Sequence, residues 1–234
     1  MLVLCVIAVL ALRVWPAPTS AFMQEEAFAA HAAGDRHYQT QYEWVDYARI
    51  APQAALAVMA AEDQQFPFHH GFDVDSIRAA EITNAEGGRL HGASTLSQQL
   101  AKNLFLWPGR SYVRKAIEAW FTVLLETLWP KQRILEAYLN VVQFGRGIFG
   151  VEAAAHAFFH VSAAQLTASD AALLAAVLPS PDRMHADRPS RYVLERQEWI
   201  LGQMRTLAEA NYLSLVARGV RPPSPPEPPH RNRH

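Results

Sequence analysis

A single cysteine, Cys5, in 234 residues excludes an internal disulfide and any zinc site built from several cysteines. Lysine is nearly as scarce. Three lysines stand against eighteen arginines, and all three (Lys102, Lys115, Lys131) fall within thirty residues of one another. A formal net charge of −1 removes the basic balance that wholesale nucleic-acid binding needs, so only local segregation of charge remains. Long period-two alternations are missing too. With half of the residues apolar and alanine prominent, the chain is predicted to be all-α, in a core-forming unit of ordinary domain size. Nor is there an unbroken apolar run of the about 20 residues that a full membrane span requires. MLVLCVIAVLAL (1–12) is closed by Arg13 and lacks the basic flank of a signal peptide. Its apolarity and position predict a membrane anchor over 1–14, truncated at the start, with a signal-peptide core as the alternative. Leu4 stands where lipid attachment at Cys5 would need a small residue.

The most informative absence is local. From Gly87 to Ile117 there are 31 residues with five cations (Arg89, Lys102, Arg110, Arg114, Lys115) and no acid, where the average of 22 acids in 234 predicts about three. A solvated basic face normally has acids interspersed. A one-signed patch points instead to an anionic ligand, and phosphate oxygens match Lys and Arg. Serine or threonine at 94 and 95 can cap a helix carrying Gln98, Gln99, Lys102 and Asn103. LFLW (104–107) is either core packing or an exposed loop at a lipid interface. From Ser111 a helix runs to about Trp129, with Arg114 and Lys115 each within a turn of Glu118. The bland reading of those pairs is a surface salt bridge, and the functional one makes Glu118 a second carboxylate beside phosphate-binding cations.

The rest of the chain is organised around AAEDQQFPFHHG (60–71). Leu56, Met59 and Ala60 mark a buried helical face, Pro52 suits the first turn and Pro67 stops the helix just past Glu62 and Asp63. Glu62 continues the face of Val58 and Met59, which turns it inward or into a cleft. Lost hydration would raise its pKa and make it a better proton acceptor near neutrality. A helix-end acid answering a nearby arginine is the competing reading.

Elsewhere, WPAPTSAFM (15–23) reads as an extended juxtamembrane exit, part of a 15–44 segment, and the aromatic stretch to residue 50 as strand or loop. Asp73 or Asp75 can cap a helix through Glu86, ended by Gly87-Gly88. Pro130 opens KQRILEAYLN (131–140), and FGRGIFG breaks it. Glu152, His156 and His160 form an i, i+4, i+8 stripe that can be a polar helix face or a metal site, without an H-E-x-x-H signature. Ser162 with Gln165 resembles a capping box before an Ala/Leu helix, and one or two closing helices span 188–218. The tail RPPSPPEPPHRNRH is predicted disordered within 219–234.

Five blocks in order, EDQQFPFHHG (62–71), GASTLSQQLAKNL (92–104), RKAIE (114–118), KQRILEAYLN (131–140) and GVEAAAHAFF (150–159), resemble the peptidoglycan glycosyltransferases, most closely the monofunctional biosynthetic transglycosylases. The likeness covers about 45–182, and the domain is expected over 45–218. No S-x-x-K, S-x-N and K-T-G transpeptidase set is present.

The resemblance implies a lysozyme-like fold with a larger catalytic lobe and a smaller membrane-facing lobe. It implies lipid II and the nascent glycan strand as substrates, with other cell-wall synthesis proteins as candidate partners and no nucleic acid. The expected place is the bacterial inner membrane, single-pass, with the catalytic domain on the periplasmic side. Glu62 matches the general base and Glu118 the second carboxylate. Lys102, Arg110, Arg114 and Lys115 match or neighbour pyrophosphate-binding positions. Ser94, Thr95, Gln98 and Gln99 would line the cleft or hold its loop, and Asn140 matches the fourth block. Asp63, Phe66, His69 and Gly71 would shape the site, His69 as a structural hydrogen-bonding residue. Gln143 stands where relatives often carry Glu. No cofactor is required, no metal site is expected in the protein, and room is left for a divalent cation (Mg or Mn). The competing functions are a lysozyme-like or lytic glycan-cleaving enzyme, whose glutamate acts first as an acid and needs no phosphate site, and a silent membrane-anchored cell-wall scaffold.

Overall fold

The computed structural model describes residues 2–74, 94–109 and 111–219. The helix expected through Glu86 runs into the region outside them, and Arg89, Arg110 and the proline-rich tail also lie outside.

Ten helices account for most of the described residues: α1 (Leu2–Val14), α2 (Ala21–Ala32), α3 (Pro52–Glu62), α4 (Leu96–Phe105), α5 (Tyr112–Leu128), α6 (Lys131–Val141), α7 (Val151–Phe159), α8 (Ala168–Val177), α9 (Arg191–Glu209) and α10 (Tyr212–Arg218). The expected start signals operate. Pro52 sits in the first turn of α3, and Ser111 accepts from the Arg114 N–H at the head of α5. The Ser162–Gln165 capping box forms but heads only a single 3₁₀ turn, and α8 begins later behind its own box of Thr167 and Asp170.

Two stretches differ from expectation. Residues 21–32 are helical, started by Ser20 accepting from the Met23 N–H. The FGRGIFG break is a hairpin, with β2 (Gln143–Gly145) antiparallel to β3 (Ile148–Phe149), and β1 (Gln41–Tyr42) adds parallel to β3 through Gln41↔Ile148 and Tyr42↔Phe149. Five strand residues at most in one hairpin and two in its neighbour cannot compete with the helices for the core, so the fold class is unchanged.

The core has α3 and α8 at its centre. Ala54 to Ala60 and Ala171 to Val177 are buried on all sides, which explains their unbroken apolar sequence. Helix α9 packs on both, and α4 packs on α5 and α6. The C-terminal end of α3 therefore emerges between α4 and α9. Helix α1 docks on α5, with Val9 fully buried. The Trp129 indole N–H donates to Val9 O at 2.8 Å, and Arg133 Nη2 donates to Leu12 O at 2.8 Å and Trp15 O at 2.7 Å. Among the described residues no helix is long and apolar enough to cross a membrane.

Candidate active site

Glu62 ends α3, and its side chain is 16 % exposed. Gln99 of α4 donates from Nε2 to Glu62 Oε2 at 3.0 Å, and Arg196 of α9 reaches Oε1 at 3.2 Å. The direction of the Gln99 amide is fixed from behind. The hydroxyl of Tyr138, a fully buried side chain, donates to Gln99 Oε1 at 3.0 Å, which leaves the amide nitrogen for Glu62. Burial pushes the Glu62 carboxyl above its ordinary value. The Gln99 hydrogen bond and the charges of Arg196 and Lys102 pull back less strongly, and Asp63 adds to the rise.

The cations gather at the other end of α4 and the start of α5. Glu118 is 2 % exposed and accepts from Arg114 Nη1 at 3.1 Å and from Lys115 Nζ at 2.5 Å. Its carboxylate is enclosed by these two partners, which it holds side by side. Lys102 links the two halves. Burial lowers its pKa, with the Glu118 carboxylate opposing that and the charges of Arg114 and Lys115 reinforcing it. Glu62 opposes it too. Within the described residues its one close partner is the Phe22 ring, 5.3 Å from Nζ. Its ammonium is thus desolvated and without a hydrogen-bonding anion there. Arg114 Nε is likewise buried without a partner. Such cations are poised for an incoming anion.

Several residues grouped with the site by resemblance belong to its frame. Asp63 accepts from the Leu96 N–H at 2.9 Å and contacts His69 Nε2 through both oxygens at 3.0 Å. Because the Gly71 N–H donates to His69 Nδ1 at 3.0 Å, Nε2 carries the proton that Asp63 accepts. Thr95 Oγ1 donates to Gly71 O at 2.7 Å, and Thr95 and Gln98 form the capping box of α4, so these two hold the helix start and leave the lining of the cleft to Gln99. Ser94 contributes its carbonyl, 3.5 Å from Gln99 Nε2. Gly71 has φ +88° and a Cβ there would meet Thr122 Cγ2 at 2.7 Å, so only glycine fits. Phe66 is fully buried beneath Lys131 Nζ, 4.4 Å from the ring centre.

Asn140 requires a correction. It is wholly buried, accepts from the Val45 N–H at 2.8 Å and donates to Val45 O and Glu136 O at 2.9 Å each. Its amide is spent on the chain entering α3, so it is a framework residue and no ligand reaches it. Gln143 has a place of its own. Its Nε2 donates to Glu26 Oε2 at 2.8 Å and to Asp182 Oδ1 at 3.1 Å, a role that glutamate could not fill. In the stripe on α7, buried Glu152 accepts from the Ala163 N–H at 2.7 Å and pairs with His156 at 3.1 Å, and His160 adopts the left-handed cap. Among the described residues no group of three or more His, Cys, Asp or Glu is arranged to hold a metal.

A desolvated carboxylate at a helix end, with clustered cations to one side, inside a helical domain, suits glycosyl transfer from a phosphate-linked donor. Comparison with known proteins agrees. The family described as Transglycosylase matches residues 29–205. Proteins named biosynthetic peptidoglycan transglycosylase are similar over most of the chain. That of Xanthomonas euvesicatoria pv. vesicatoria is 53% identical over 213 residues, 91% of this chain and 86% of its own. That of Pseudomonas fluorescens is 51% identical over 218 residues, 93% of this chain and 90% of its own. The Cronobacter sakazakii protein is 52% identical over 206 residues, 88% of this chain and 86% of its own. The chain belongs to the transglycosylase family.

Proposed function

We propose that this protein polymerises peptidoglycan glycan strands from lipid II, with inversion at the anomeric carbon and release of undecaprenyl pyrophosphate. The observation that carries the reading is a largely buried Glu62 carboxylate, held by Gln99 and Arg196, in the same helical domain as the cation group of Lys102, Arg114 and Lys115. A sugar hydroxyl is a poor nucleophile. As the acceptor 4-oxygen bonds to the donor's anomeric carbon, Glu62 takes the hydroxyl proton. The carbon–oxygen bond to pyrophosphate breaks on the opposite face, and its electron pair leaves with the pyrophosphate. The α-linkage thereby becomes β. Negative charge grows on the leaving group during this step, and cations already held in place by Glu118 stabilise it without reorganisation. Glycan cleavage of the lysozyme type has no use for such a cation group.

This chemistry needs no cofactor. Both Asp63 oxygens are engaged by His69 and one also by Leu96, so Asp63 beside Glu62 is a poor metal ligand. A divalent cation (Mg or Mn) would enter with the pyrophosphate as its counter-ion.

The envelope is where such a reaction takes place, and we place the protein at the inner membrane with its catalytic domain on the periplasmic side. Support comes from α1, whose outward residues Leu2, Val3, Leu4 and Ile7 are exposed, and from exposed Val113, Trp120 and Val123 on α5, the helix against which α1 packs.

Purified protein given lipid II in detergent should produce long β-1,4 glycan. Glu62→Gln should lower the rate by roughly 10²–10⁴-fold with the fold intact. Equal polymer from both proteins would remove Glu62 from its role, and cleavage of preformed peptidoglycan with no polymerisation would replace the reading with a lytic one.

A further inference from the structure

Helix α9 carries more toward the site than Arg196. Tyr192, Arg196, Trp199 and Gln203 stand at i, i+4, i+7 and i+11 and share one flank of the helix. Two of them fix where that flank looks. Arg196 reaches Glu62 Oε1, and Gln203 Oε1 accepts from Gln64 Nε2 at 3.2 Å, two residues beyond Glu62. The rings of Tyr192 and Trp199 therefore stand on the rim beside Glu62, on the α9 side, away from the cations of α4 and α5. They are 50 % and 49 % exposed. Packing does not call for them, because α9 buries Val193, Ile200, Met204 and Leu207 instead.

We propose that Tyr192 and Trp199 form a stacking rail for a β-1,4-linked, N-acetylated glycan running past Glu62. This rests on the glycosyl-transfer reading above. The C–H bonds on the face of a pyranose ring carry partial positive charge, and they lie favourably on the negative face of an aromatic ring. Seven residues along a helix separate the two rings by about 10 Å, comparable with two β-1,4-linked sugars, so each ring meets one disaccharide repeat. Arg196 lies between them, its guanidinium held on Glu62 Oε1 and near Ala61 O, which fixes this flank of the helix against the carboxylate. The outer border suits a polar polymer better than lipid. Arg191 and Glu195 form an exposed ion pair, and Glu198 is exposed beside Trp199.

The test uses the full chain in detergent and a tetramer of β-1,4-linked N-acetylglucosamine as probe, with binding read by calorimetry and by saturation-transfer NMR. The wild type should bind the tetramer more tightly than the dimer, with saturation passing from the protein to the tetramer's sugar-ring protons. Trp199→Ala and Tyr192→Ala should each weaken tetramer binding roughly two- to tenfold and shift the polymer made from lipid II to shorter chains. Trp199→Phe should restore most of both. Tetramer binding equal in wild type and both alanine variants, or no tetramer binding by wild type, overturns the rail. Failure of wild type to polymerise lipid II would instead strike the functional reading, so the two failures are separable. Because both side chains are outside the core, near-native melting of the variants is expected, and Trp199→Phe supplies the comparison if an alanine variant melts early.

Discussion

Arg196 and Glu62 meet across 134 positions of sequence, the guanidinium Nη2 lying 3.2 Å from the carboxylate. Burial raises the Glu62 carboxyl and Arg196 opposes that rise, with Gln99 and Lys102. The base must be ionised to accept a proton, so polymerisation should rise with pH along an acid limb set by this raised carboxyl. Arg196→Ala removes one opposing charge and should move that limb to higher pH. A pH profile of kcat/KM with lipid II checks it. An unmoved limb with a lowered plateau would assign Arg196 to substrate contact alone.

Glu118 encloses two cations and is itself nearly inaccessible. Glu118→Ala leaves Arg114 buried without its anion, and breaking a buried pair costs about 3–5 kcal/mol. With Lys115 half exposed we expect less than that, about 2–3 kcal/mol, in denaturant unfolding. Inorganic pyrophosphate should raise the melting temperature of wild type more than that of the variant, because its cations are no longer held in one place.

Asn140 should behave as framework. Asn140→Ala strips partners from both backbone groups of Val45 and should cost roughly 2–4 kcal/mol. The KM for lipid II should stay near wild type in protein that is still folded. A large KM change at unaltered stability would restore a binding role.

Gln143→Glu places a third carboxylate between Glu26 and Asp182. Glu26 is already raised, first by burial, with the Gly147 N–H opposing and Asp182 adding to the rise. The new carboxylate would be raised likewise. A carboxyl with a raised folded-state pKa destabilises once ionised, so stability is retained at low pH and lost as pH rises. The variant should be weaker than wild type by roughly 1–2 kcal/mol at pH 7, with the difference shrinking towards pH 5, as pH-dependent melting would show.

Much of the site was legible because its residues lie close together in sequence. Glu62 and Asp63 sit at a helix end marked by Pro67, and Arg114, Lys115 and Glu118 lie within one helical turn. Arg196 was not legible. It is one of eighteen arginines, in an unremarkable amphipathic helix, and its partner comes from a distant segment. The i, i+4, i+7 run of Tyr192, Arg196 and Trp199 beside the apolar face was the available signal. Tyr138 shares the apolar face of α6 with Ile134 and Leu135, and nothing there signals its hydroxyl's partner, which depends on tertiary packing. The same holds for Asn140, whose partner backbone at Val45 lies 95 residues away. The hairpin at Gln143–Phe149 escaped because strands of two or three residues are too short to show alternation.

The grip of Trp129 and Arg133 on carbonyls of Val9, Leu12 and Trp15 means that the first helix is a fitted part of the wall. Cutting the chain after Val14 would not free a self-sufficient domain. It would open a seam along α5, orphan the Trp129 indole, take Leu12 O away from Arg133 while Trp15 O and Glu136 remain to it, and leave a sticky stripe for detergent or a lipid bilayer to cover.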